Sequence, residues 1–475
     1  MSKSFRMTAF AVGVLLALFV LTAVFLRLFV DFNDYKLQLE AAASEAMGME
    51  VRVLGRMDIG FLPGLSVILE DVHIRNREAE IVYAAEARLG IDLLPLFQGR
   101  LRIGKLELKR PGIFIERNSD GTFNIENPAT DVGKSEAVVL PLISLSSGTL
   151  RYVDRQSGMA FETTQCNLDV RHLRVLRGER SDLMKNLSLS AEGVCTDIRT
   201  KDFAASDLKF SLSGENGVFR LEPVMLHVFG AQGLGSIHAE LSGPTNLYTV
   251  SFFLPQFRVE EVFQPLSSEK VAEGSLDFTA NLSMQGKTVN EMKQTLQGQI
   301  QLRGEHLVLL GRDLDAELSR FESSRNFNLV DVGAFFFAGP LGVVATKGYD
   351  FANIFRGSGG RSDILKLVSD WKVQRGVAQA QDVAMATKQN RIVLHGGLDF
   401  VNQRFDDMTM ALVDAQGCAT VQQKINGSFQ KPLVEKPSIV KSLAGPVLQL
   451  LKEGAELLPG GKCKVIYTGS VASPK

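Results

Sequence analysis

Apolar and polar residues alternate along most of the chain from Glu50 onward. The segment from Leu65 to Leu69 shows this alternation, and so does Leu101 to Lys109, where the pattern shifts by one residue at Gly104. A period of two residues is typical of β-strands with one apolar and one polar face. The shift predicts a β-bulge at the glycine. The chain is therefore predicted to be mainly β.

Similar strand-like segments recur through the body and are separated by glycines. Examples are Ser188 to Ser190, Phe210 to Ser213, Leu276 to Leu282 and Ile300 to Arg303. Because a sheet must cover or use its apolar face, two architectures are open. Periodicity alone favours β-sandwich or barrel domains with a closed core. The alternative is an elongated, curved antiparallel sheet whose apolar inner face stays open as a groove.

An uncharged apolar run of 19 residues extends from Thr8 to Leu26. It matches the roughly 20 residues of a membrane-spanning helix and exceeds the roughly 7 to 15 residues of a signal-peptide core. Lys3 and Arg6 precede the run, so the positive-inside rule places the N-terminus in the cytoplasm and the body across the membrane. The length favours an uncleaved anchor, with a cleaved signal peptide as the alternative.

Helical patterns are few. One amphipathic helix is predicted to start at Asn33 or Asp34 and to end at Met47, with Gly48 as its stop. It is interpreted either as a cap on the membrane-proximal end of a larger structure or as a helix packed on the first strands. Further helices are predicted from Asp313 to Asn326, from Ser362 onward and over Ile439 to Leu458.

Composition and charge narrow the classes of function. The 52 basic and 53 acidic residues nearly cancel and no polybasic run occurs, so the chain lacks the electrostatic footprint of a nucleic-acid-binding protein. A content of 43 glycines, one tryptophan and six scattered histidines suits short strands and turns better than a metal or haem enzyme. The sequence carries no nucleophile elbow, zinc-protease, phosphate-loop or EF-hand motif. We therefore expect no enzyme, no catalytic residue, no metal and no cofactor.

Four cysteines occur, at positions 166, 195, 418 and 463. An even number in a body placed in an oxidising compartment permits two disulfides, in any of three connectivities. Sequence order favours Cys166 with Cys195 and Cys418 with Cys463, and buried free thiols are the alternative. Because no C-x-x-C pair occurs, a redox or zinc role is not expected.

Short motifs at both ends of the chain carry a family resemblance. They are Asp31 to Lys36 with Gly55, Pro63, Asp71-Val72 and Asn76; Leu101 to Asn124 with Pro111 and Asp120-Gly121; and Gly417 to Ala419, Ile425 to Gly427 and Cys463 to Val471. In these motifs the chain resembles the AsmA family of bacterial envelope proteins. Phe32 departs from the proline expected at its position.

The resemblance implies an inner-membrane anchor and a periplasmic β-rich body, related to bridge-like lipid-transfer proteins whose chorein-type N-terminus begins an open hydrophobic groove. It favours the groove over the sandwich. The expected regions are a cytoplasmic stub and transmembrane anchor (1–30), an AsmA/chorein-like region (31–130), a repetitive β body that forms the groove (131–410) and a C-terminal AsmA-like region with a helix and the Cys418–Cys463 disulfide (411–475).

The function this implies is carriage of phospholipids between the inner and outer membranes, in support of outer-membrane homeostasis. The expected groove residues are Val67, Leu69, Leu106, Leu108, Leu189, Phe210, Leu212, Leu276, Phe278 and Leu302. The expected partners are inner-membrane lipids, phospholipid cargo and an outer-membrane or envelope protein at the distal end. The alternative is a structural or assembly factor that affects outer-membrane protein or lipopolysaccharide biogenesis without binding lipid.

Overall fold

The computed structural model describes residues 32–61, 64–92, 95, 102–125, 138–175, 184–201, 203–264, 270–324, 359–439 and 465–474. The chain divides into two compact units. The first comprises residues 1–201 and 207–217, and the second comprises residues 202–206 and 218–475. Strands dominate both units, so the prediction of a mainly β protein is confirmed.

The alternating segments form the strands of the first unit. They are β1 (Glu50–Val53), β2 (Met57–Gly60), β3 (Ser66–Asn76), β4 (Ala79–Ile91), β5 (Ile103–Arg117), β6 (Val138–Asp154), β7 (Met159–Val175), β8 (Leu187–Thr200) and β9 (Ala204–Glu215), of which residues 204–206 belong to the second unit. β1 and β2 both pair with β3, and β3 to β8 pair in sequence order.

These pairs are antiparallel with one exception, β5 and β6, which are parallel. The expectation of an antiparallel sheet is therefore corrected to a mixed sheet. The long connection between Arg117 and Val138 lets the chain return to the start of the neighbouring strand, which a parallel pair requires. The bulge predicted at Gly104 is confirmed, because the β4–β5 register shifts by one residue at this position.

Left-handed backbone interrupts several strands of the first unit. The non-glycine residues Asp71, Arg110, Ser147 and Gln165 have φ between 46° and 55°. The amide of Ser147 donates to Oδ1 of Asn167 on the neighbouring strand at 3.0 Å, so the irregular backbone keeps a hydrogen-bond partner. An irregularity of this kind shifts the side-chain parity, which lets Leu69 and Val72, three residues apart, join one apolar cluster.

The second unit continues the same construction. Its strands are β10 (Val218–Val228), β11 (Ala231–Glu240), β12 (Leu247–Arg258), β13 (Ala272–Glu273), β14 (Ser275–Gln285), β15 (Gln297–Leu310), β16 (Arg361–Gln374), β17 (Val377–Ala386), β18 (Arg391–Asp399), β19 (Arg404–Val413), β20 (Ala419–Ser428), β21 (Lys431–Val434) and β22 (Ser438–Ile439). Apart from β13, which pairs with β15, the strands from β10 to β20 pair antiparallel in sequence order. β21 and β22 both pair with β20.

The described helices are short. They are α1 (Lys36–Met47), which follows a 3₁₀ turn (Phe32–Tyr35), and α2 (Val259–Phe263), α3 (Val289–Thr295) and α4 (Leu314–Ser324). α1 ends as predicted at Gly48, which adopts φ 67°. The helix predicted from Asp313 is confirmed as α4, whereas the helix predicted from Ser362 is wrong, because pairing with β15 makes that segment the start of β16.

The predicted disulfides, the predicted anchor and the predicted C-terminal helix have different outcomes. The Cys166–Cys195 disulfide is confirmed. Cys418 is disulfide-bonded, but Cys463 lies outside the described residues, so that pairing stays a prediction. Within the described residues no helix has the length and apolar character needed to cross a membrane. The predicted anchor at 8–26 and most of the predicted helix over 439–458 lie outside them.

Candidate functional site

Two rows of apolar side chains cross the neighbouring strands β3 to β8 of the first unit. The first row is Val67, Leu89, Leu106, Ile143, Val170 and Ala191; the second is Leu69, Ala87, Leu108, Leu145, Leu168 and Gly193. Members of a row are direct cross-strand partners, and the rows are two residues apart, so both lie on one face of the sheet. Most members are only half-buried. We call this surface the apolar face; at about 4.8 Å per strand, each row is about 24 Å long.

The reverse face of the same strands is polar. One cross-strand row there consists of Ile68, Arg88, Glu107, Ser144, Asp169 and Glu192. Lys109 pairs with Glu86 at 2.8 Å, and Lys105 pairs with Glu107 at 2.5 Å. A single sheet therefore separates an apolar surface from an ion-paired one, as the alternation predicts.

The apolar face extends to the last strands of the first unit. A β-carbon at Gly193 would lie 2.5 Å from the ring of Phe210, so this phenylalanine of β9 lies over the glycine of β8. Leu212, two residues further along β9, and Leu189 on β8 are half-buried. The Cys166–Cys195 disulfide joins β7 and β8 directly beside Leu168 and Gly193. The disulfide therefore covalently fixes the pairing of two strands that form the apolar face.

Helix α1 packs at the β3 end of the apolar face. Val53, Leu69, Val72 and Ala87 form a buried cluster, and Leu39 of α1 packs against it. Three predicted groove residues take part: Leu69 as a member, Val67 and Leu108 as half-buried neighbours. The helix therefore covers the first part of the face, which agrees with both interpretations proposed for it, a cap and a packed helix.

A ladder of hydrogen bonds holds α1 along the outer edge of β1 and β2. Asn33 Oδ1 accepts from the amide of Met57 at 3.0 Å, and Lys36 Nζ donates to the carbonyl of Gly55 at 3.1 Å. Glu40 Oε1 accepts from the amide of Val53 at 2.7 Å, and Ser44 Oγ accepts from the amide of Val51 at 2.9 Å. These bonds satisfy the backbone groups of an edge strand, which would otherwise be a template for another strand. The prediction that Asn33 or Asp34 caps α1 is therefore wrong: Asn33 binds β2, and Tyr35 is the N-cap residue, without a side-chain cap hydrogen bond.

The three groove residues predicted in the second unit share one face of β14 and β15. Phe278 and Leu302 are direct partners, and Leu276 lies opposite Gly304. Their exposed fractions are 5%, 1% and 1% for Phe278, Leu302 and Leu276. These residues are therefore buried core, unlike the half-buried rows of the first unit.

Asparagine side chains hold the hairpin-like end of β5, where the resemblance motif contains Asp120-Gly121 and Asn124. Asn124 Nδ2 donates to the carbonyl of Phe114 at 2.8 Å, and its Oδ1 accepts from the amide of Glu116 at 2.9 Å. Asn76 Nδ2 at the end of β3 donates to the carbonyl of Asn124 at 2.7 Å. The motif therefore fixes the backbone at one end of the strands that carry the apolar face.

The C-terminal segment, residues 465–474, packs on β16 to β20 in the second unit. Tyr467 and Val471 join a buried cluster with Val368, Ala384 and Val393. The amide of Ile466 donates to the carbonyl of Gly417 at 2.9 Å. Only glycine fits at 417, where φ is 82° and a β-carbon would lie 2.0 Å from the carbonyl oxygen of Tyr467. The C-terminal resemblance motif is thus a packing motif.

Asp382 is the polar anchor of this segment. Its Oδ1 accepts from Tyr467 Oη at 2.7 Å, and its Oδ2 accepts from the amide of Ser470 at 2.9 Å. Burial alone would raise the pKa of Asp382, but the hydrogen bonds from Ser470 and Tyr467 outweigh it and hold the pKa below its ordinary value. Burial and the neighbouring carboxylate raise the pKa of Tyr467. The pair therefore stays an ionised acceptor and a neutral donor.

Sequence reasoning missed several members of the apolar face on β4, β6 and β7. They are Leu89, Ala87, Ile143, Leu145, Leu168 and Val170. The signal was present, because Ile143 to Ser146 and Leu168 to Arg171 alternate as strictly as the segments that were chosen. Among the described residues no group of histidine, cysteine and carboxylate side chains has the arrangement of a metal site.

The described part is that of a β-rich protein in which one sheet carries a partly exposed apolar face and an ion-paired reverse face. The chain belongs to the AsmA family: the family model matches residues 1–179 and, in a second match, residues 159–324. The two matches together cover the whole apolar face of the first unit and continue in the second unit through β15 to the end of α4. The chain matches no curated protein sequence and no solved structure.

Proposed function

We propose that this protein binds the acyl chains of lipids on its apolar face and carries phospholipids between the two membranes of the bacterial envelope. The observation that carries the proposal is the pair of half-buried apolar rows that crosses β3 to β8, with an ion-paired surface on the reverse side. Membership of the AsmA family supports the same function. In this proposal the chain is anchored in the inner membrane by residues 8–26, and its body lies in the periplasm.

The physics of binding needs no covalent step. Each buried CH₂ group contributes about 0.8 kcal/mol, so an acyl chain gains several kcal/mol from a strip of apolar side chains while its headgroup stays in water. A row about 24 Å long exceeds the length of one leaflet of a bilayer core, which is about 15 Å thick. Most positions along the rows present similar Leu, Ile or Val side chains, so a lipid can move between them without a large change in free energy.

The first experiment measures lipid in the purified protein. Mass spectrometry of the gently extracted full chain is expected to find phospholipid, and a photoreactive lipid is expected to crosslink to β5 and β6. The double variant Leu106→Asp with Ile143→Asp places two carboxylates in the first row, and should abolish crosslinking while circular dichroism still reports folded protein. Ser146→Asp is the matched control, since Ser146 lies on the reverse face of β6 beside Lys109.

The outcomes separate the two candidate functions. Lipid in the wild type and its loss only in the row variant support carriage. Undiminished crosslinking in the folded row variant would show that lipid does not bind to the apolar face. A folded wild-type chain that holds no lipid and captures none would favour the alternative, a structural or assembly factor of the envelope.

A further inference from the structure

Three large apolar side chains are exposed where the first helix begins and β1 ends. The exposed fractions are 54% for Tyr35, 72% for Leu37 and 64% for Leu54. Exposed leucines scattered singly are common on protein surfaces, but a group of them marks an interaction site. We call Tyr35, Leu37 and Leu54 the N-terminal patch.

The hydrogen-bond ladder of α1 holds these residues close together. Lys36, between Tyr35 and Leu37, donates to the carbonyl of Gly55, the residue after Leu54. Asn33 binds the amide of Met57 two residues further on. The turn that carries Leu54 is therefore fixed beside the first turn of α1, so the patch is a built surface at one end of the first unit.

Neither the core nor the proposed cargo path accounts for the patch. On α1 the side chain that packs against the buried cluster is Leu39, while Leu37 points away from it and remains exposed. Leu54 follows Val53, which is buried in that cluster, and so projects from the opposite side of the strand. The patch is a separate apolar surface.

The sequence places this surface next to a membrane. The predicted span ends at Leu26, nine residues before Tyr35, and an extended chain of this length reaches at most about 30 Å. Tyrosine is enriched where a protein meets the headgroup region, because its ring is apolar and its hydroxyl is polar. Leucine side chains gain free energy by entering the acyl boundary.

We infer that the N-terminal patch inserts into the interfacial region of the membrane from which the predicted anchor emerges, so that the first unit rests on the bilayer surface by Tyr35, Leu37 and Leu54. The inference uses the membrane anchor of the proposed function but not the binding of lipid on the apolar face. A bilayer surface is the one occupant that the chain itself brings within reach of the patch.

Depth-dependent quenching tests the inference. The full chain is reconstituted into vesicles of phosphatidylcholine and phosphatidylglycerol, and Leu54→Cys or Leu37→Cys is labelled with an environment-sensitive maleimide dye without reductant. The described native cysteines are disulfide-bonded and do not react, and the wild-type chain labelled in parallel gives the background. Met159→Cys is the matched control, because Met159 is a large apolar side chain that is also exposed, at 54%, at the start of β7 in the same unit.

The expected result is a blue shift of the dye at 54 and 37 and a loss of its emission with brominated acyl chains, with neither change at 159. Vesicle-bound protein with an unshifted, unquenched dye at 54 and 37 would overturn the inference. So would protein that fails to float with the vesicles, or dye pairs at 54 that quench each other across a dimer. A failure of this inference is distinguishable from a failure of the proposed function. The double variant Leu37→Glu with Leu54→Glu leaves the apolar face intact and should leave lipid crosslinking to β5 and β6 unchanged.

Discussion

The strands β3 to β8 and the strands β16 to β20 are built alike but buried differently. In the first set, cross-strand partners such as Leu106 and Ile143 are half-buried, and the reverse face carries ion pairs. In the second set both faces are core: Leu367 is 0% exposed, and its neighbour Val368 on the opposite face is 2% exposed. The C-terminal segment covers the face that contains Val368.

The difference teaches that strand pairing sets which residues share a face, whereas burial depends on what packs against that face. The sequences already differ. β18 and β19 contain continuous apolar runs, Ile392 to Leu394 and Met408 to Val413 with Thr409 as the one interruption, as strands covered on both sides do. Ile143 to Ser146 of β6 and Leu168 to Arg171 of β7 alternate instead, and their reverse face is polar. The closed core and the half-buried apolar surface therefore lie in different parts of the chain.

The largest expected effect comes from placing the same charge in the two regions. Leu367→Asp buries an unpaired carboxylate in a closed core and should lower the free energy of unfolding by about 4 kcal/mol or more. Phe278→Asp should behave in the same way, since Phe278 is core. Leu106→Asp, at a half-buried site that admits water, should cost about 1 kcal/mol. Urea titrations followed by circular dichroism measure all three, and equal losses would abolish the distinction between the regions.

Removal of the disulfide should destabilise the first unit next most strongly. The bond joins residues 29 apart in sequence, and a closed loop of this size is worth about 3 to 4 kcal/mol in the chain-entropy model. Cys166→Ala with Cys195→Ala should therefore melt well below the wild type, whereas the two should melt alike in reductant. Non-reducing peptide maps should show this bond and a second, Cys418 to Cys463. A free thiol at 418 would contradict the second pairing.

A smaller, pH-dependent effect on stability is expected where the C-terminal segment, residues 465–474, packs on β16 to β20. Because the folded-state pKa of Asp382 is depressed, its contribution is fully present above the unfolded pKa of about 4 and is lost as the pH falls below it. Tyr467→Phe removes the donor to Asp382 and should cost about 2 kcal/mol at pH 7. Between pH 7 and pH 3 the melting temperature should fall less steeply for this variant than for the wild type. Parallel curves for the two proteins would show that the hydrogen bond does not cause the pH dependence of stability.

The smallest effect is expected at the edge of the first region. Glu40→Ala leaves the buried amide of Val53 without its acceptor and should cost about 1 kcal/mol. Glu40→Gln keeps an acceptor oxygen and should cost less. Hydrogen exchange of the Val53 amide is the direct measurement, and equal protection in the wild type and Glu40→Ala would show that the bond does not guard the edge.

Much of the fold was predictable from local pattern. The alternation located the strands, Gly104 marked the bulge, and sequence order favoured the Cys166–Cys195 pairing that the structure contains. The pairing of β5 with β6 in parallel was not predictable, because alternation carries no information on strand direction. Ser362 has the features of a helix start, yet long-range pairing with β15 makes it a strand. Leu276, Phe278 and Leu302 share one face, as their period indicates, but period carries no information on how deeply a face is buried.

The edge ladder of α1 also acts as a molecular ruler. From Lys36 to Glu40 and from Glu40 to Ser44 the helix advances four residues, about 6 Å, while the backbone partners Gly55, Val53 and Val51 advance two residues, about 6.6 Å, at each step. The difference of about half an ångström at each step accumulates, so the alignment that the hydrogen bonds need is lost over several further turns. A helix of three turns can therefore be hydrogen-bonded to the edge along its whole length, whereas the side chains of a much longer helix would no longer align with the backbone amides of the strand. The length of α1 is thus matched to the edge that it seals.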